Sequence, residues 1–207
     1  MRRAFWLLPI LLILAPLGYF LFWPPTVGKL LSDGSKHLRQ GNLDAAIVNF
    51  NRAIARDPDL VEAYYQRGLA HCAKGNWTEV IADATQVIDR GGSVAKGYAM
   101  RGLARMHRGD FDGATADCEL AVGLNPLLPG GYLNRGLAKS ARGDWAGAVA
   151  DFDTAIQLDK TCAEAWAHRG YERLKLGRIP EGKMDLDEAY RLKPELLGLP
   201  AQPASGK

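Results

Sequence analysis

An excess of either charge is almost missing from this chain: 26 Lys and Arg stand against 23 Asp and Glu, a formal net charge of +3 in 207 residues. Arg2 and Arg3 supply two of those charges, and no run of Lys or Arg occurs. That argues against a nucleic-acid partner, which is held by clustered cations. Cysteine is scarce too. Cys72, Cys118 and Cys162 are an odd number, spread widely, and cannot make a disulfide framework. The sequence has no Cys-x-x-Cys, no glycine-rich phosphate loop, no Gly-x-Ser-x-Gly and no paired carboxylates outside ordinary helix surfaces. Those are the usual means of holding metals, phosphates and activated nucleophiles. His37, His71, His107 and His168 have no metal-ligand spacing with one another or with the cysteines. Enzyme activity, a cofactor, a bound metal and a small-molecule substrate are therefore not expected.

One long apolar run is present. Ala4 to Trp23 contains no charge, and as a helix those residues would reach about 30 Å, the thickness of a hydrocarbon core. Its seven Leu, two Ile and three Phe favour insertion by roughly 0.3–0.6 kcal/mol each. Pro9 and Pro16 would kink it, and Pro24-Pro25 ends it. A cleaved signal peptide has a shorter apolar core and a small-x-small site. Here the nearest such site, Thr26-Val27-Gly28, lies beyond the proline pair. The reading is an uncleaved anchor, residues 1–26 with the span at 4–23. Arg2 and Arg3 at its head predict a cytoplasmic N-terminus, with the rest of the chain on the far side of the membrane, the periplasm in a bacterium.

The remainder repeats itself at one fixed interval. Arg67-Gly68-Leu69 returns as Arg101-Gly102-Leu103 and Arg135-Gly136-Leu137, then as Arg169-Gly170-Tyr171. Gly41, Gly75, Gly109, Gly143 and Gly177 keep the same interval, as do the small residues Ala46, Val80, Ala114, Ala148 and Gly182. Five copies follow, 27–60, 61–94, 95–128, 129–162 and 163–196, and 197–207 reads as a flexible tail. Each copy spells two helices around a glycine turn. A pair this small cannot bury its own apolar stripe, so the copies must stack.

These residues resemble the tetratricopeptide repeat, a 34-residue helix-turn-helix. Aromatic-x3-Gly appears as Tyr64…Gly68, Tyr98…Gly102, Tyr132…Gly136 and Trp166…Gly170, and Pro58, Pro126 and Pro194 close three copies. The resemblance covers 27–196. It implies an all-α, right-handed superhelical solenoid of five repeats, here preceded by one transmembrane helix, whose first helices line a concave protein-binding groove. Copy one departs, with Leu30 for the aromatic and Asp33 for the arginine. Copy two ends in Gly91-Gly92 instead of Asp-Pro. The charged segment Glu181–Lys193 suits a capping repeat.

Four arginines recur, each followed at one constant offset by an aspartate: Arg67 with Asp83, Arg101 with Asp117, Arg135 with Asp151, Arg169 with Asp185. Copy one changes both members, to Asp33 and Asn49. Such joint change points to structural ion pairs between the two helices, since a row of ligand-binding arginines has no reason to alter the other helix. The partner-binding stripe is read instead on the first helices, at Tyr65, Leu69, Leu103, Met106, Leu133, Leu137 and Tyr171, with Glu62, Lys96, His107, Glu164 and Lys175 at its edge. Relatives that clamp a C-terminal carboxylate use Lys and Asn there. Leu31, Ser35, Gln66 and Met100 stand in those places and only Lys96 fits, so an apolar helix or peptide is the expected ligand. The resemblance also leaves two narrower roles open: an apocytochrome-holding subunit of c-type cytochrome maturation, and a targeting receptor that faces the cytosol.

Overall fold

The computed structural model describes residues 24–195. The expected span at 4–23 and the expected tail at 197–207 lie outside the described residues. Among the described residues there are ten helices and no strand. They form five consecutive hairpins: α1 (Val27–Arg39) with α2 (Leu43–Arg56), α3 (Val61–Lys74) with α4 (Trp77–Asp89), α5 (Val94–His107) with α6 (Phe111–Leu124), α7 (Pro129–Ala141) with α8 (Trp145–Leu158), and α9 (Ala163–Lys175) with α10 (Ile179–Leu192). None is long and apolar enough to cross a membrane.

Each hairpin turns where the recurring glycine falls. Gly41, Gly75, Gly109, Gly143 and Gly177 all have φ between 74° and 83°, the left-handed region in which a side chain is strained. Between hairpins the chain turns differently. The carboxamide or carboxylate oxygen of Asp57, Asn125 and Asp159 accepts from the backbone N–H two residues on, at 2.9–3.1 Å. Copy two has no such residue there, and Gly91 at φ 69° makes the bend.

Packing within a hairpin sets a ring against a missing side chain. A Cβ built on Gly34 would lie 2.5 Å from Phe50, and one on Gly136 2.6 Å from Phe152. Both phenylalanines are fully buried. Even one methyl group would force those rings to move. Alanines do the same between hairpins: Ala70, Ala104 and Ala138 have no exposed surface and touch the preceding second helix.

The stack bends because its two helix layers are unequally spaced. Successive first helices, α1, α3, α5, α7 and α9, touch one another, whereas no two second helices pack together. The first helices therefore form the inner wall of a solenoid and the second helices its outer wall. α5 and α7 come closest, and there the Asn134 side chain donates to the Ala99 carbonyl at 2.9 Å.

Candidate interaction groove

The arginines and aspartates that recur at a constant offset meet in the structure. Arg67–Asp83, Arg101–Asp117, Arg135–Asp151 and Arg169–Asp185 bond at 2.6–2.9 Å, with the aspartates buried. Each guanidinium also lies 4.6–5.5 Å from the ring centre of the aromatic three residues before it, Tyr64, Tyr98, Tyr132 or Trp166. Two features of this ladder leave no mark in the sequence pattern. A second base serves three of the carboxylates: Arg105 on Asp117, Lys139 on Asp151 and Arg173 on Asp185, at 2.8–2.9 Å. Three of the arginines also reach the preceding hairpin, Arg67 to Asn51 at 2.6 Å, Arg101 to Thr85 at 3.5 Å and Arg169 to Asp153 at 2.5 Å. Such tied arginines are poor hosts for an anion, because a ligand would have to break existing charge-assisted bonds. An open hollow between α9 and α10 is lined partly by Arg169, Arg173 and Asp185, which are already paired.

The apolar stripe lies on the inner wall and is half-buried. Leu69 and Tyr65 lean on a cluster of Val80, Ala84, Met100 and Ala104. Leu103 and Leu137 lean on Met106, Ala114 and Ala138, Leu133 on Ala155, Ile156 and Ala165, and Tyr171 on Ala163, Ala167 and Ala189. Each keeps part of its surface open. Met106 is a correction: it is 7% exposed and belongs to the packing between α5 and α7, whose close approach takes it from the groove.

Aromatic contacts mark one rim. Trp77 stacks on His107 at 3.9 Å with the rings 3° from parallel, and Lys175 sits 5.9 Å from the Trp145 ring centre. Lys96 lies 5.5 Å from the ring of Tyr65, whose phenol is raised above its usual range by burial and by Glu62.

The cysteines are not poised as nucleophiles. Burial pushes the Cys118 thiol up to about 12 and the Cys72 thiol up to about 11, so both stay protonated. His71, His107 and His168 are all lowered by burial. No group of three His, Cys, Asp or Glu among the described residues could hold a metal ion.

Comparison with known proteins adds the family. The family described as TPR repeat matches residues 34–75, and that described as tetratricopeptide repeat matches 133–195, together about half the chain. Among solved structures, TTC0263, a thermophilic TPR protein of Thermus thermophilus, is 22% identical with a TM-score of 0.73. The match covers 82% of this chain and 93% of that one. The Cut9–Hcn1 hetero-tetramer of the APC/C has a chain 19% identical with a TM-score of 0.79, covering 88% of this chain but 36% of its own. YrrB, described as a TPR protein with an unusual peptide-binding site, is 18% identical with a TM-score of 0.55, covering 82% and 88%. At these identities the likeness carries the fold alone. No curated protein matches the sequence.

Proposed function

Because the chain belongs to the tetratricopeptide-repeat family, whose repeats bind protein or peptide partners, we propose that it is a non-catalytic scaffold that holds an apolar helix or peptide of a protein partner in its concave groove. The observation that carries this reading is the row Leu69, Leu103 and Leu137. It recurs at one position of α3, α5 and α7 on the inner wall, with part of each side chain open. A wall meant only for solvent would carry charge there. The scaffold is held to a membrane by the charge-free run Ala4–Trp23, with the N-terminus cytoplasmic and the repeats beyond the membrane. Support for that part is the sequence alone.

Leu103→Asp tests the groove. Partner capture by crosslinking from the inner wall is expected to weaken by about 2 kcal/mol or more, as for a central apolar anchor. The melting temperature should move less than binding does, because the side chain is only half-buried. Leu120→Asp on the outer wall, where Leu120 is 49% exposed, should leave capture unchanged. A large loss of stability with capture intact would make the leucines packing residues only. For topology, Cys162 is a poor reporter, since it is half-buried and its thiol is raised by burial. Leu127→Cys, at a site 75% exposed, should react with a membrane-impermeant thiol reagent from the far side of the intact membrane. Labelling only after the membrane is lysed would place the repeats in the cytosol.

A further inference from the structure

The four junctions between successive hairpins are built alike, except the last. At the first three, an alanine of the incoming first helix meets an apolar residue of the preceding one: Ala70 with Leu38, Ala104 with Cys72, Ala138 with Met106. At the fourth, the same two places hold Glu172 and Ser140, and both changed together. Glu172 is 3% exposed, so a carboxylate occupies a site where its counterparts bury a methyl group. A buried charge of this kind persists only with partners for its lone pairs.

Its partners are incomplete. Oε1 accepts from the Ser140 hydroxyl at 2.7 Å and from the Lys175 ammonium at 3.0 Å. Oε2 is buried without a donor, and among the described residues the only other such side-chain atom is His37 Nδ1. The nearby groups do not fill the need. His168, on the same face of α9, is held in its neutral form by burial and stacks on Phe152 at 5.8 Å. Lys193 is taken by Glu164 at 2.8 Å. Lys175 keeps 41% of its side chain exposed and also lies near the Trp145 ring, so it has a second seat to move to. Ser140, on the inner helix α7, keeps part of its surface open, so the carboxylate bonded to its hydroxyl at 2.7 Å lies just beneath the inner wall.

We propose that this fourth junction receives an ammonium or guanidinium group of the groove's ligand, a Lys or Arg side chain that donates to Glu172 Oε2 while the ligand's apolar residues lie on Leu137, Leu103 and Leu69. The proposal rests on the groove reading above and makes it directional: the basic residue lies at the α9 end. A cation is the chemistry that completes the site, because it supplies the donor that Oε2 lacks and adds to the one charge, that of Lys175, which the buried carboxylate already has.

The test selects random displayed peptides against the full chain in detergent micelles, and in parallel against Glu172→Ala. Alanine is what the other three junctions carry, so this variant should fold and melt no lower than the parent. Peptides selected by the parent should carry a Lys or Arg among apolar residues. Replacing a selected Arg by neutral citrulline should lower affinity roughly tenfold or more for the parent and by less than about twofold for Glu172→Ala. Apolar peptides without a basic residue, or an equal citrulline loss in both proteins, would overturn this proposal and leave the groove reading standing. Peptides that bind Leu103→Asp as well as the parent, or no enrichment at all, would overturn the groove reading and this proposal with it.

Discussion

The first hairpin and the four that follow solve one structural problem in two ways. In the later hairpins a ring, a guanidinium and a carboxylate are stacked between the helices, as in Tyr132, Arg135 and Asp151. In the first, all three are replaced: Leu30 is buried at the aromatic's place, Asp33 bonds to Lys29 on its own helix at 2.9 Å, and Asn49 turns to the Ala45 carbonyl at 2.9 Å. The apolar solution closes the hairpin as well, since Phe50, Ala46 and Ala53 are fully buried. Three positions on two helices thus change as one unit. The unit is not required to close a hairpin: in the first, the buried pair is absent, and the polar residues at its two places bond within their own helices. Arg67 and Arg169 reach a side-chain carbonyl or carboxylate of the hairpin before them. The first hairpin has no described neighbour on that side to reach.

The comparison breaks most sharply where one arginine stands alone. Among the described residues Asp83 accepts side-chain bonds only from Arg67, whereas Asp151 keeps Lys139 when Arg135 is removed. Arg67→Ala should therefore cost on the order of 3–5 kcal/mol, the effect of a buried and uncompensated carboxylate. Arg135→Ala should cost about 1–3 kcal/mol, because a charged partner remains. Urea denaturation of both variants measures the difference. In each background, changing both members to leucine should recover much of the loss, because no buried charge is then left uncompensated. If Arg67→Ala and Arg135→Ala are equally destabilising, the second base contributes nothing.

The period, the glycine turns and the constant offset of the ion pairs were legible because they recur. A residue type repeated at a fixed register says what the fold needs at that place. What does not recur was hidden. The second bases fall at a position that reads His37, His71, Arg105, Lys139 and Arg173, too mixed to stand out. Met106 looked like groove lining because the stripe assigns it to the inner face, and only the close approach of α5 and α7 buries it. Glu172 was invisible for a related reason. A glutamate on a helix reads as surface, and nothing local to it says that Ala138 and Ala104 are its counterparts in burial. Glu172 stands out only against Ala70, Ala104 and Ala138 at the same place in the other copies, since the exceptions to a repeat are where single positions differ in chemistry.

The smallest effect probes the place where the second hairpin falls between the two designs. His71 stands at the second-base position, as far before Asp83 as Arg105 stands before Asp117. Its pKa is lowered from 6.5, chiefly by burial, with Asp83 pulling the other way. It is therefore neutral in the folded chain near neutral pH, which leaves Asp83 with one cation. The unfolded chain takes up the proton first as pH falls through 6.5, so His71 lowers stability below that pH and has no such effect above it. His107 and His168 are lowered too and act in the same direction. His71→Arg should supply the missing charge at every pH. It is expected to raise stability by about 0.5–1 kcal/mol at neutral pH and to shrink the acid-side loss, leaving the part due to His107 and His168. The two changes are coupled: in the His71→Arg background, Arg67→Ala should cost no more than Arg135→Ala does, since Asp83 now keeps a partner. Melting curves of the four proteins, parent, two singles and double, on either side of the histidine titration would decide it. A cost for Arg67→Ala that is the same in the parent and in the His71→Arg background would mean that the second base does not reach the carboxylate in this hairpin.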